Sequence, residues 1–216
     1  MATYWKEYQC LVRRIVPALV SNRNFYDKAV CDLVSNQTLW LDAGCGHILL
    51  GSREIDEELA LVKRARFACG CDGDSEAIRQ HRSLSNLVVC NLTALPFKPS
   101  SFTLITSKMV VEHLDNPAKV FSEFVNLLKT GGIIAIHTPN RWSYYALMSM
   151  VVPQLIKNRI GKMIDGRPPE DYYPVRYQAN SPGKLLRLFH DVGCNEVQVS
   201  MYASDAIFQF LANSIW

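Results

Sequence analysis

The chain has 216 residues, of which 49% are hydrophobic and 20% charged, with a formal net charge of +3. This length and composition predict one globular α/β domain, and the charge is too small to indicate nucleic-acid binding. No apolar run is long enough to span a membrane and the seven cysteines lack regular spacing, so we expect a cytoplasmic protein with reduced thiols and no bound metal.

Alternating apolar runs and helical patterns predict the organisation of this domain. Alternation of strands with helices indicates a mostly parallel, doubly wound sheet of the Rossmann-like type, with helices on both faces. In chain order we expect N-terminal helices (1–36), a core (37–140), a helical, aromatic-rich cap insertion (141–180), and a C-terminal helix and strand (181–216).

The boundaries of the elements follow from periodicity and from turn and cap signals. The predicted strands are Thr38–Leu41, Phe67–Cys71, Leu87–Cys90, Phe102–Thr106, Ile133–His137 and Glu196–Met201. The predicted helices are Trp5–Val20 and Phe25–Leu33 (separated by Asn22–Asn24), one ending near Arg66, one from Asp74 or Ser75 to about His81, one from Asn116-Pro117 to about Lys129 that stops at Gly131-Gly132, and one from Ser181-Pro182 to Asp191.

A glycine loop follows the first predicted strand and carries an acid just before it. Asp42 precedes Gly44 and Gly46, whose missing side chains let a ligand approach the backbone. Asp42 offers a partner to a cationic group, and the loop amides with the following helix N-terminus offer one to a carboxylate. This pairing favours the amino-acid end of a ligand over a pyrophosphate.

Two more polar residues end the next two strands. Asp72 follows the second strand, where one carboxylate can accept both hydroxyls of a ribose. Asn91 follows the third, where its amide and the Leu92 N–H can read a base edge. Each residue alone is an ordinary turn or loop residue, but parallel strands bring these ends to one edge of the sheet. The order is then amino acid, ribose, base.

With these sites in place, the chain resembles the class I S-adenosylmethionine-dependent methyltransferases, in particular the broad type 11 group. The similarity covers about residues 38–140, roughly half of the chain. It is carried by Leu41-Asp42-Ala43-Gly44-Cys45-Gly46, Gly70-Cys71-Asp72, Leu95-Pro96-Phe97, Ser101-Phe102, Val111-Glu112-His113-Leu114, Leu127-Leu128-Lys129-Thr130-Gly131-Gly132 and Thr138-Pro139-Asn140.

The resemblance implies S-adenosyl-L-methionine as cofactor and a set of contacts to it. The implied contacts are Asp42, Gly44 and Gly46 near the methionine moiety, Asp72 at the ribose, Asn91 and Leu92 near the adenine, and Ser107, Lys108 and Met109 flanking the methionine end. Further expected cofactor contacts are Cys45, Gly73 and His47, which lies in the glycine loop. The chain departs from the family at Ile48, where a third glycine is common, and at Asn91, where aspartate is more frequent. The family's antiparallel seventh strand is not recognisable, and 208–216 is either its beginning or the chain is shortened.

Methyl transfer requires mainly alignment and exclusion of water, with a base if the acceptor is a hydroxyl. His113, after the fourth strand, is the first candidate base, and its alternative is a structural histidine that bonds backbone. His137, at the end of the fifth strand, is the second candidate, and Glu112 could orient cofactor or helix.

The sequence restricts the class of methyl acceptor only by excluding some classes. Ser107-Lys108-Met109-Val110 stands where methyltransferases of base amino groups often carry Asn/Asp-Pro-Pro-aromatic, and no Pro-Cys pair is present for cytosine chemistry. We therefore expect O-methylation of a small-molecule, glycan or lipid-like acceptor under the cap. Arg141, Arg176 and Tyr177 either bind that acceptor or fix the cap.

Two other classes of function compete with this interpretation. Ile48 and Asn91 motivate a non-catalytic S-adenosylmethionine-binding module. A nicotinamide-dependent oxidoreductase is disfavoured, because Leu49 occupies the position of its third glycine and Asp42 precedes the loop.

Overall fold

The computed structural model describes residues 22–51, 54–142, 174–202 and 207–214. The predicted helix Trp5–Val20 and most of the cap insertion lie outside the described residues. Among the described helices, none has the length and apolar character needed to cross a bilayer.

Seven strands form a single sheet in the order β3-β2-β1-β4-β5-β7-β6. Strands β1 to β5 are parallel, and β7 lies antiparallel between β5 and β6. This arrangement confirms the Rossmann-like doubly wound fold. The strands are β1 (Leu39–Ala43), β2 (Phe67–Asp72), β3 (Leu87–Val89), β4 (Phe102–Lys108), β5 (Leu128–Pro139), β6 (Cys194–Tyr202) and β7 (Ile207–Ser214).

Five α-helices and one 3₁₀ turn accompany the sheet in the described part of the chain. They are α1 (Asn22–Leu33), α2 (Ile55–Arg64), α3 (Ser75–Arg79), the 3₁₀ turn Val111–His113, α4 (Pro117–Leu127) and α5 (Pro182–Asp191). Two of the predicted caps are present: the Asp74 side chain accepts from the N–H groups of Glu76 and Ala77, and Asn116 accepts from that of Lys119. These caps fix where α3 and α4 begin.

The two faces of the sheet are covered by two separate cores. On one face, Leu41, Ile105, Ile134 and their neighbours pack against α4 and α5. On the other, Trp40, Leu104 and Ala135 pack against α1, α2 and α3. Because successive strand residues point to opposite faces, Asp42, Thr106, Lys108 and His137 share the face of α1. That alternation places the polar side chains of the candidate site.

Several boundaries differ from the predictions, and those at α1, α4 and β5 have a clear physical reason. The helix α1 begins at Asn22, so Asn22–Asn24 belong to it and do not separate two helices. Helix α4 ends at Leu127, and β5 follows at once. The glycines are used inside β5, where Gly131 has a φ of 73° and the pairing with β4 shifts between Phe102 and Leu104. The bulge therefore needs the left-handed backbone that the sequence analysis assigned to a helix end.

The seventh strand is present, which corrects the expectation that it is not recognisable. β7 covers Ile207–Ser214 and pairs with β5 along Ile133–Pro139. The sixth strand extends beyond its predicted bounds, because its pairing with β7 runs from Cys194 to Tyr202.

Candidate functional site

The loop after β1 and the end of β2 are joined by hydrogen bonds. The N–H groups of Gly44 and Cys45 donate to the carbonyl of Cys71, at 2.8 and 3.1 Å. The Gly46 N–H donates to Asp72 Oδ2 at 2.9 Å, and the Asp74 N–H donates to Asp72 Oδ1 at 2.9 Å. Each carboxylate oxygen still has a second lone pair, so Asp72 can hold the loop and accept hydroxyls from a ligand.

The two glycines of the loop serve different purposes. Gly44 has a φ of 75°, and a Cβ there would lie 2.3 Å from Cγ2 of Val110. Gly46 has a φ of 51°, and a Cβ there would meet nothing within 4 Å. Gly44 is thus required by packing against the end of β4, whereas Gly46 borders open space. Ile48, which occupies the position where the family commonly has a third glycine, is 38% exposed, and His47 is exposed as well.

The helix after the loop does not offer the expected carboxylate site. Helix α2 begins at Ile55, nine residues after Gly46, and its first turn holds Asp56, Glu57 and Glu58. Three acids at a helix N-terminus repel a further carboxylate. The longer connection is the physical reason for this difference from the prediction.

Glu58 is instead the anchor of that connection. Its side chain is fully buried and accepts from the Leu50 N–H at 2.9 Å and from Arg82 Nε at 3.0 Å. The Arg82 N–H donates to the His47 carbonyl at 3.2 Å. The Glu58 side chain and the backbone N–H of Arg82 therefore hold the two ends of residues 47–50.

Asp42 is held in a buried polar chain. The Thr106 hydroxyl accepts from Trp40 Nε1 at 2.7 Å and donates to Asp42 Oδ1 at 2.6 Å. Only 5% of Asp42 is exposed, and this burial raises its pKa to about 7 against the opposing effects of Thr106 and Lys108. A cation bound beside this carboxyl would favour its ionised form.

Helix α1 contributes a second set of polar groups on the same face. Lys108 Nζ lies 3.0 Å from Oδ1 of Asp27 and 5.4 Å from the centroid of the Tyr26 ring. The Tyr26 ring stacks on His137, with centroids 5.1 Å apart and planes at 16°. Burial and the nearby charge of Asp42 raise the pKa of Tyr26. The end of α1 thus lies against the strand ends that carry Asp42 and Lys108.

Sequence reasoning did not assign Tyr26 or Asp27 to the site, although a signal was present. Asp27 is fully buried and lies three and seven residues before Val30 and Val34, both of which are buried. A charged residue on the apolar stripe of a helix indicates a buried partner.

The predicted adenine contacts lie at the edge of the site. The Asn91 side-chain oxygen accepts from both the N–H and the hydroxyl of Thr93, each at 2.9 Å. This turn engages the oxygen that was expected to accept from the adenine amino group, so the side chain presents its NH₂ instead. Leu92 packs against the core on the α4 side. Gly73 is exposed beside Asp72.

The residues at the end of β4 and directly after it, Ser107, Lys108 and Met109, differ in their environments. Ser107 is buried and its hydroxyl donates to the Ala43 carbonyl at 2.9 Å. Met109 is 41% exposed with a φ of 57°, and its N–H donates to the His137 carbonyl at 2.7 Å. A left-handed φ at methionine is strained and turns the chain sharply out of β4. The buried Ser107 braces β1, and Met109 faces the open side.

Of the two candidate bases, His113 faces the more open environment. Its Nδ1 lies 2.9 Å from the Pro174 carbonyl, so this nitrogen donates and Nε2 carries the lone pair. Burial lowers the pKa of His113, which keeps the ring neutral near pH 7. His137 is 1% exposed and stacked on Tyr26, an environment that favours a structural role.

Glu112 links His113 to the segment that re-enters at Pro174. Its carboxyl is 2% exposed, with Oε2 accepting from the Thr138 hydroxyl at 2.9 Å and Oε1 lying 3.9 Å from His113 Nε2. Burial raises its pKa to about 7. Its backbone carbonyl accepts the N–H groups of Arg176 and Tyr177, and Asn180 donates to Thr138.

The two arginines near this segment have partners of their own. Arg176 Nε lies 2.8 Å from Asp115, and the guanidinium of Arg141 lies 5.0 Å from the Trp142 ring centroid. For Arg176 this pairing favours the role of fixing the segment over that of binding an acceptor.

Comparison with known proteins gives one family match and several relatives. A family model described as "Methyltransferase domain" matches residues 41–136. A probable S-adenosylmethionine-dependent methyltransferase of Mycolicibacterium smegmatis is 30% identical over 107 residues, which are 48% of this chain and 39% of that protein. A ubiquinone biosynthesis O-methyltransferase of Glaesserella parasuis is 25% identical over 134 residues, which are 56% and 54% of the two chains. The chain thus spans about half or less of the length of these curated relatives.

The fold also matches solved structures over nearly its whole length. A structure from Thermotoga maritima, described as a SAM-dependent methyltransferase and possible histamine N-methyltransferase, covers 98% of this chain at a TM-score of 0.61 and 16% identity. The match covers 96% of that chain. At this identity the similarity concerns the fold alone.

Proposed function

Because the chain, through residues 41–136, belongs to the class I S-adenosylmethionine-dependent methyltransferases, we propose that it binds S-adenosylmethionine and transfers its methyl group to a hydroxyl oxygen. The proposed contacts are Asp42, Gly44, Cys45, Gly46 and His47, then Asp72 and Gly73, then Asn91 and Leu92, and finally Ser107, Lys108 and Met109. The acceptor is a small-molecule, glycan or lipid-like alcohol or phenol.

The tautomer of His113 is the observation that carries the choice of a hydroxyl acceptor. Because Nδ1 is engaged by the Pro174 carbonyl at 2.9 Å, the basic lone pair is on Nε2. Burial lowers the pKa of the ring, so that it is present as the free base at neutral pH. A sulfonium is already a good leaving group, and a neutral hydroxyl is the acceptor that gains most from a base.

The proposed step is an in-line displacement. The acceptor oxygen attacks the methyl carbon while His113 Nε2 removes the hydroxyl proton. S-adenosylmethionine, when bound, would supply the methyl group, and its sulfonium would leave as a neutral thioether that keeps the electron pair of the broken carbon–sulfur bond. The products are a methyl ether, S-adenosylhomocysteine and an imidazolium. Glu112 Oε1, 3.9 Å from Nε2, lies close enough to stabilise that positive charge when ionised.

The names of relatives leave the acceptor open. One relative is a ubiquinone biosynthesis O-methyltransferase, which supports a phenolic oxygen on a lipid-like molecule. One neighbour in fold is described as a possible histamine N-methyltransferase. The alternative function is a non-catalytic S-adenosylmethionine-binding module, and the exposed Ile48 and the occupied Asn91 oxygen favour it.

The test combines binding with turnover. Calorimetry of the full chain should detect S-adenosylmethionine, and absence of binding would refute both alternatives. Turnover is followed as S-adenosylhomocysteine release with a catechol, a methyl hexoside and a prenylated phenol. His113→Gln should leave cofactor affinity within about threefold and lower turnover by roughly 10²- to 10⁴-fold. Equal turnover by His113→Gln contradicts the proposed base, and no turnover on any acceptor favours the binding module.

A further inference from the structure

The ion pair between Lys108 and Asp27 lies where a ligand's amino-acid end would be bound. Thr106 and Lys108 are two residues apart on β4 and point to one face, and Asp42 on β1 is paired with Thr106. Strand spacing and rise put the backbones of Asp42 and Lys108 about 8 Å apart along this face. The Lys108 ammonium also acts on the Asp42 carboxyl, since it is one of the groups that lower the pKa of Asp42.

The charges of this face complement those of the cofactor. Among the described residues, this face carries the acids Asp27 and Asp42 and the ammonium of Lys108, and the charges of Asp72 and Glu58 lie near enough to raise the pKa of Asp42. The amino-acid end of S-adenosylmethionine carries two cations, the sulfonium and the ammonium, and one carboxylate. Asp42 is the natural partner of the ligand ammonium, which leaves the carboxylate to be matched by a positive group.

Lys108 is placed to supply that group. An ammonium has three N–H donors, and the hydrogen bonds described for Lys108 use one of them, toward Asp27. The Lys108 side chain is 17% exposed while that of Asp27 is fully buried, so the open side of the pair is the cationic one. Helix α2, whose acidic first turn begins at Asp56, offers no such partner.

We propose that Lys108 binds the carboxylate of the cofactor, and that Asp27 of α1 is the counterion that competes with this carboxylate for the Lys108 ammonium. This inference rests on the proposed cofactor. Asp27 and the Tyr26 ring hold the ammonium against α1. With ligand, the same ammonium is shared between Asp27 and the carboxylate, so cofactor binding changes the attachment of α1 to β4.

The experiment removes the carboxylate from the ligand and the ammonium from the protein in turn. Calorimetry of the full chain compares S-adenosylhomocysteine with its decarboxylated analogue, which keeps adenosine, thioether and ammonium. Lys108→Met should weaken S-adenosylhomocysteine by about tenfold to a hundredfold, the range of a charge-assisted hydrogen bond, and leave the analogue nearly unchanged. Lys119→Met, an exposed lysine on α4, is the matched control.

A second variant keeps the test decisive if Lys108→Met folds poorly. Asp27→Asn removes the competing counterion, so it should tighten S-adenosylhomocysteine and leave the analogue unchanged. An ion pair that only stabilises the fold would instead change both ligands equally in each variant, and that result overturns the inference. If the wild-type chain binds neither ligand, the proposed cofactor itself fails. If it binds both with equal affinity, only the role of Lys108 fails.

Discussion

The Gly46 N–H donates a 2.9 Å hydrogen bond to Oδ2 of Asp72, so the loop after β1 is tied to the end of β2. The acid proposed to bind the ribose therefore also shapes the loop proposed to bind the methionine moiety. Binding needs less ordering of the loop because this bond already exists.

The double role of Asp72 predicts a large effect of its removal. Asp72→Ala should weaken S-adenosylhomocysteine by more than about tenfold, since it loses hydroxyl acceptors and frees the Gly46 N–H. Calorimetry measures the affinity, with the exposed Glu76→Ala on α3 as control. Affinities of the two variants within twofold of each other would contradict the proposed role.

The different surroundings of the two loop glycines predict unequal costs of alanine. Gly46→Ala should lower the free energy of unfolding by about 1–2 kcal/mol, the cost of a left-handed backbone. Gly44→Ala should cost about 2 kcal/mol more, because its Cβ collides with Val110. Urea denaturation measures both. Gly44→Ala with Val110→Ala should recover part of the excess, and no recovery would show that the collision is not the cause.

Burial of Asp42 predicts a pH-dependent cost to the fold. Its folded pKa of about 7 lies above the ordinary 3.8, so the folded state binds more protons, and this group's stabilisation is lost as pH rises from about 4 to 7. The stability of Asp42→Asn relative to wild type should therefore increase between pH 4 and 7, by at most about 1.4 kcal/mol per pH unit, and should change little above pH 7. Urea denaturation at each pH measures the difference, and a difference independent of pH would contradict the raised pKa. Glu112→Gln should behave alike, since its folded pKa is also about 7 against 4.5.

The same group predicts pH-dependent cofactor binding. An ionised Asp42 is the form that attracts the ligand ammonium, so the affinity for S-adenosylhomocysteine should rise from pH 6 to pH 8 and binding should release a proton below pH 7. Calorimetry in two buffers of different ionisation enthalpy counts the proton. Asp42→Asn should abolish the release, and release that persists in it would assign the proton to another group.

The ion pair between the buried Glu58 and the partly exposed Arg82 predicts an asymmetry between single and double variants. Arg82→Met leaves the Glu58 charge buried without its partner, which should cost about 3 kcal/mol. Glu58→Gln combined with Arg82→Met should cost less than Arg82→Met alone. Thermal denaturation compares the two, and a double variant at least as unstable as the single one would refute this account.

The sequence predicted the parts of the site that depend on local order. The glycine loop, Asp72 and the caps at Asp74 and Asn116 each follow from residue type and near neighbours. The contacts made by Asp27 could not be predicted, because its partner Lys108 lies 81 residues along the chain. The Glu112 bond to Thr138 likewise depends on two elements meeting across 26 residues.

Predictions from glycine positions were the least reliable, because a positive φ occurs both at helix ends and in strand bulges. Gly131 has the positive φ of a helix end, yet it forms a bulge inside β5. The sequence pattern could not distinguish a glycine that ends a helix from a glycine in a strand bulge, because either one can follow an amphipathic helix.

Because β7 lies between β5 and β6 in the sheet, the strands are synthesised in a different order from that in which they can assemble. A ribosome releases β6 before β7, yet in the described part of the chain β6 joins the sheet through β7, which pairs with it from Ile207 onward. Until then β5 has an open edge along Ile133–Pro139, the strand that leads into the candidate site. A nascent chain must keep this edge from pairing with other chains, and this interval is when a chaperone would be most useful.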